Sequence, residues 1–152
     1  MKRVPCVSQP TFDITGSSKA IDTLVRERIS AGKPLYVVDE ALLLRLRPDV
    51  VITQTHCEVC AVSPANLGGD ELCRKQVAAL STGTLAGIVD SFRQIASVIG
   101  RDVEPLIARI DARLADIERQ LAGRLRPTIV CLEWIEPIFN MGNWGPELVA
   151  RA

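Results

Sequence analysis

The sequence predicts an α/β fold in which short β-branched strands alternate with amphipathic helices. Two runs carry the strand half: "DVVIT" (49–53) and "RPTIVCLEW" (126–134). Continuous Val/Ile runs without polar alternation read as strands covered on both faces, as in parallel sheets. The helical half rests on two apolar stripes at helical spacing. One is Leu85, Ile88, Val89, Phe92, Ile95, Ala96 and Ile99; the other is Val103, Leu106, Ile107, Ile110, Leu114, Ile117 and Leu121.

Local signals justify each element in order. "VPCVSQPTFDITGSS" (4–18) carries two prolines and a glycine and reads as extended or loop-like. Ser17 or Ser18 caps a helix whose apolar face is Ile21, Leu24, Val25 and Ile29, and Gly32 stops it. After a short extended piece, Asp39 caps a helix with Leu42, Leu43 and Leu46 on its apolar side, ended by Pro48. The 49–53 strand follows, and "KQVAALS" (75–81) is a second candidate strand. Gly100 closes the first long stripe. Asp102 caps the second, which runs about 20 residues, or roughly 30 Å, before Gly123 ends it. Such a helix exceeds the usual length of about 11–12 residues and reads as a spine. "GPELVARA" (145–152) starts a last helix, with Pro146 in its first turn and Glu147 at the positive end of its dipole.

Bulk composition narrows the function classes. With 152 residues, 47% of them hydrophobic and 24% charged, the chain has the balance of a globular domain. Its formal net charge is zero, so nothing pulls it toward nucleic acid. No apolar run approaches the roughly 20 residues that span a bilayer, and the first residues carry a basic pair without the apolar stretch of a secretory leader. There is no G-x-S-x-G, P-loop or G-x-G-x-x-G, and the expectation is a protein that is not an enzyme.

Two features carry candidate chemistry. Aromatic residues are 4% of the chain, yet Trp134, Phe139 and Trp144 fall within eleven residues of one another. Trp and Phe give rigid apolar area suited to a broad, flat ligand, although a small core under a loop would use them equally. The second feature is "TQTHCEVCAV" (53–62), just beyond the 49–53 strand, where open α/β sheets bind ligands. Cys57 and Cys60 form a C-x-x-C there. Redox use asks for a helix N-terminus under it, and structural zinc asks for about four ligands. The simplest reading is a loop staple or two half-buried thiols. Cys6, Cys73 and Cys131 complete an odd set of five cysteines.

The segments "LRPDVVITQTHCEVCAV" (46–62) and "TIVCLEWIEPIFNMGNWGPELVARA" (128–152), with "AIDTLVRERISAGKPLYVVDEALL" (20–43) before them, resemble the cobalamin-type substrate-binding proteins of ABC importers, within the iron-chelate and cobalamin periplasmic-binding family. The likeness covers most of the chain. It implies a partial bilobal class III substrate-binding protein: an incomplete first lobe over 1–100, a spine helix over 101–124 and the start of a second lobe over 125–152. It also implies a corrinoid or other metal chelate as ligand rather than as cofactor, held between lobes and delivered to a membrane permease, with a periplasmic or envelope location. Gln54, His56 and Cys57 then lie at the first-lobe lip, where Gln54 can bond ligand amides and His56 can offer an imidazole to cobalt. Trp134, Phe139 and Trp144 become ligand contacts on the second. The first βα unit and most of the second lobe of that family have no counterpart here. Two alternatives stand beside this reading. One is a cytoplasmic thiol or metal-binding protein built on Cys57, Cys60 and Cys73. The other is a truncated fragment that binds no ligand and self-associates through exposed apolar surface.

Overall fold

The computed structural model describes residues 4–55, 57, 59, 61–67 and 76–152. It is a mixed α/β protein that divides into two compact units, Met1–Leu80 and Ser81–Ala152. The spine-type helix and the aromatic stretch therefore belong to the same unit.

The first unit begins with β1 (Ser8–Pro10), followed by α1 (Ser18–Ser30), β2 (Tyr36–Val38), α2 (Glu40–Leu46), β3 (Val50–Gln54), a short 3-10 turn (Pro64–Asn66) and β4 (Gln76–Leu80). The caps act as their residue types demand. Ser17 accepts the Ala20 N–H and Asp39 accepts the Leu42 N–H at 2.8 Å. Gly32, at φ +62°, takes the left-handed position beyond α1. Arg28 ties α1 to the 11–12 segment: it donates to the Thr11 carbonyl and lies over the Phe12 ring at 5.5 Å.

Both strand pairs of this unit are small. β1 and β2 pair antiparallel, Ser8 opposite Val38, a pairing that the prolines of the first segment disguise in the sequence. β3 and β4 pair parallel, in register from Val50 opposite Gln76 to Gln54 opposite Leu80. The parallel pairing is the expected one. The expected double-sided burial is not found: Thr53 is buried, but Ile52 is 49% exposed. Among the described residues the ladder has two strands, with no further strand to extend the sheet. Leu35, Leu43 and Ala78 are the buried hydrophobic residues of this unit among the described residues.

The second unit contains α3 (Leu85–Ile99), α4 (Glu104–Leu121), the antiparallel strands β5 (Leu132–Trp134) and β6 (Phe139–Asn140), and α5 (Gly145–Arg151). Thr84 caps α3 by accepting the Gly87 N–H, and Gly100 closes it at φ +64°. α4 starts two residues beyond the expected cap. Val103 holds the cap position, and Asp102 instead accepts the Glu104 N–H at 3.0 Å. Pro105 in the first turn suits this start, since its missing N–H has no helical partner to lose. Ala96 of α3 and Ile107 of α4 are the buried apolar residues of the unit. Arg93 grips Glu104 through Nε and Nη2, at 2.8 and 3.2 Å, and joins the two helices at their turn.

The expected 126–134 strand is corrected. Only Leu132–Trp134 is strand, and residues 124–130 are exposed throughout. β-branched residues favour extended backbone, but a strand needs a neighbour to supply its ladder. Among the described residues β5 has one neighbour, β6. No helix among the described residues is long and apolar enough to cross a membrane.

Two outcomes follow from this packing. A Cβ on Gly87 would lie 2.6 Å from the Ser81 carbonyl oxygen, so α3 can approach that backbone only with glycine there. Gly87→Ala gains about 1 kcal/mol of helix propensity but meets an overpacking cost of about 1–3 kcal/mol. Thermal unfolding should show a lower Tm, and a raised Tm would contradict the close approach. The second concerns pH. The hydrogen bond from Arg93 holds the Glu104 carboxyl below its ordinary value of 4.5. A carboxyl lowered in the folded state contributes stability above 4.5 that is lost as pH falls through its lowered value. Both side chains are largely exposed, so the effect on unfolding is small. In a carboxyl NMR titration, Arg93→Gln should return Glu104 to its ordinary midpoint; an unchanged midpoint would mean that Arg93 is not the cause.

Candidate functional site

Two sets of candidate residues occupy different units and are built separately. In the first unit, the chain leaves β3 into a loop held by side chains that bond its own backbone. Thr53 Oγ1 donates to the Val62 carbonyl. The Gln54 carboxamide spans the turn: its Oε1 accepts the Cys57 N–H at 3.0 Å, while its Nε2 donates to the carbonyls of Cys57 and Ala61. The Tyr36 hydroxyl donates to the Val59 carbonyl at 3.2 Å. A reciprocal capping box between Ser63 and Asn66 closes the far end.

Gln54 therefore uses both ends of its amide to shape the loop that the sequence reading places at a ligand. Cys57 is disulfide-bonded. Its sulfur is then not the thiolate that a metal requires. His56, Cys60 and Cys73 lie outside the described residues. Among the described residues, no three His, Cys, Asp or Glu side chains gather as a metal ion would need.

In the second unit, "LEWIEPIFNMGNW" folds into a β-hairpin and the entry to a helix. Trp134 and Phe139 are cross-strand partners, joined by the four-residue turn 135–138 with a cis Glu136–Pro137 peptide. The Trp134 indole N–H donates to the Glu136 carbonyl at 3.0 Å, inside the turn. That bond fixes the ring and uses the donor that a ligand amide would otherwise meet. Phe139 is 41% exposed. Sequence reasoning missed the hairpin. Its signal was present: Leu132 and Trp134 alternate, and Pro137 sits midway between Trp134 and Phe139.

Trp144 goes elsewhere. It stands at the start of α5 and lines an apolar groove of about 390 Å³ with Leu85, Ile88 and Phe92 of α3, Leu114 of α4 and Leu148 of α5. Neither Trp134 nor Phe139 lines this groove. Two contacts hold α5 in place beside it. Glu147 Oε2 accepts the Leu85 N–H at 3.1 Å, one of the helix-start donors without a partner in its own helix, and Arg151 pairs with Glu118 of α4. Asp111 and Arg151 supply charge at the rim. The apolar stripes of α3 and α4 explain the walls, since the side chains that do not meet across the helix pair remain to line a groove. The structure thus places Trp134 and Phe139 on one hairpin and Trp144 in a groove that the sequence reading did not anticipate. No family model, no curated protein and no solved structure matches the chain.

Proposed function

We propose that the chain binds a corrinoid or related metal chelate without chemical transformation, as part of a bilobal class III substrate-binding protein that delivers its ligand to an ABC importer permease. The observation that carries this reading is the Trp144 groove. It is apolar, has an aromatic wall and falls within the roughly 300–1,000 Å³ typical of ligand sites. A broad macrocycle face gains most from rigid rings, which lose little rotamer freedom on binding. The Asp111 carboxylate at the rim can accept from amide N–H groups at the edge of such a ligand. The likeness of segments 46–62 and 128–152 to cobalamin-type binding proteins supports the same class. The disulfide at Cys57 suits an oxidising compartment, as that family would require, and weighs against the cytoplasmic metal-thiolate alternative.

Isothermal titration of the purified chain with cyanocobalamin and with hydroxocobalamin tests the proposal. Saturable heat is expected with at least one of them. Trp144→Ala should weaken binding by about 10-fold or more, the usual loss for an aromatic anchor. No heat at high micromolar concentration with either ligand would remove the reading.

A further inference from the structure

We propose that the Trp144 groove selects its ligand by charge: it takes a flat apolar body that carries positive charge, and Asp111 is the residue that makes the selection. This rests on the reading of the groove as a ligand site and adds the charge that the ligand must bring. Of the residues lining the groove, Asp111 of α4 and Arg151 of α5 are charged. Arg151 already has a partner, since its Nε donates to the Glu118 carboxylate of α4. The Asp111 carboxylate has no hydrogen-bond or ion-pair partner among the described residues. The guanidinium at the rim is therefore cancelled and the carboxylate is not.

Helix geometry keeps other cations away from Asp111. Arg109 and Arg113 stand two residues to either side of it in α4, which turns each about 160° round the helix. Arg119 is engaged by Asp116 at 2.7 Å, and Arg93 of α3 by Glu104 at 2.8 Å. A further carboxylate lies beside the groove. Glu147 Oε2 accepts the N–H of Leu85, itself a groove residue. The partial positive charge at the start of α3 offsets part of that carboxylate. Asp111, Glu118 and Glu147 thus stand against the one guanidinium of Arg151.

The walls act in the same direction. Phe92 and Trp144 both line the groove, and the face of an aromatic ring attracts a cation held within about 6 Å. An anion of the same shape would gain the same apolar burial, yet it would be repelled by Asp111. Apolar walls set how tightly a flat body is held, and the rim sets which charge is accepted. Asp111 is exposed, so the preference is a matter of a few-fold in affinity and is screened by salt.

Titration of the full chain with pyrenemethylammonium and with pyreneacetate tests the proposal, since the two probes share one flat ring system and carry opposite charge. Read by pyrene fluorescence anisotropy, the cation should bind roughly 3- to 10-fold more tightly at low salt, and the gap should narrow at about 0.5 M sodium chloride. Asp111→Asn should bring the two probes to within roughly 2-fold of each other. Arg109→Gln, on the far side of α4, should leave the preference as it is. Trp144→Ala should weaken both probes. Equal affinities for the wild-type chain would overturn the proposal, as would a preference that survives Asp111→Asn or probe binding that Trp144→Ala leaves unchanged. Corrinoids that fail to bind while the probe preference holds would remove the corrinoid reading and leave the charge selection standing. Corrinoid binding beside equal probe affinities would do the reverse.

Discussion

Five hydrophobic side chains reach full burial among the described residues: Leu35, Leu43, Ala78, Ala96 and Ile107. They are set against a chain that is 47% hydrophobic. Burying apolar surface is the main favourable term in folding, at about 25 cal/mol per Å², and it must offset backbone ordering at about 1–2 kcal/mol per residue. Each unit works with a small core, and local devices take a larger share of the task. The side-chain caps at Ser17, Asp39 and Thr84 satisfy helix-start donors. Gly100 ends α3 without the cost that a Cβ would meet at positive φ. Arg28 and Arg93 each fasten one element to the next.

The same shortage explains where apolar surface lies open. α3 and α4 present wider stripes than their mutual contact covers, and the remainder becomes the Trp144 groove, bounded by α5 and held by Glu147 and Arg151. The hairpin behaves similarly. It pairs Trp134 with Phe139 and turns the Trp134 donor inward, but its outer edge and residues 124–130 stay open among the described residues. Groove and edge are two expressions of one constraint.

Helices were legible in the sequence because their evidence is local. Period, cap and stop lie within one element, and Ser17, Asp39, Gly32 and Gly100 act where the sequence places them. Asp102 misled by one residue, because Pro105 favours a start at Glu104 and an aspartate can accept from that N–H without being the cap. Strands were less legible because their stability comes from neighbours that local sequence does not name. The 49–53 run was recognised, and its parallel partner with it, yet its burial depends on layers that a two-stranded sheet lacks. The 126–134 run has the composition of a buried strand and the environment of an exposed edge. Of the candidate site, the aromatic cluster was visible, but its division between hairpin and groove depends on the turn at Pro137 and the direction of α5. Gln54 was read as a ligand contact, and nothing in its neighbours reveals that its amide closes its own loop.

The central claim is that residues 124–130 are left uncovered by the rest of the described chain. Hydrogen exchange resolved to single amides tests it most directly. Thr128, Ile129 and Val130 make no backbone hydrogen bond among the described residues. Their amides should exchange at nearly unprotected rates at about 1 µM. Amides inside α3 and α4 should stay protected throughout. Protection of residues 128–130 at every dilution would show that the chain covers this segment itself, and would contradict the claim.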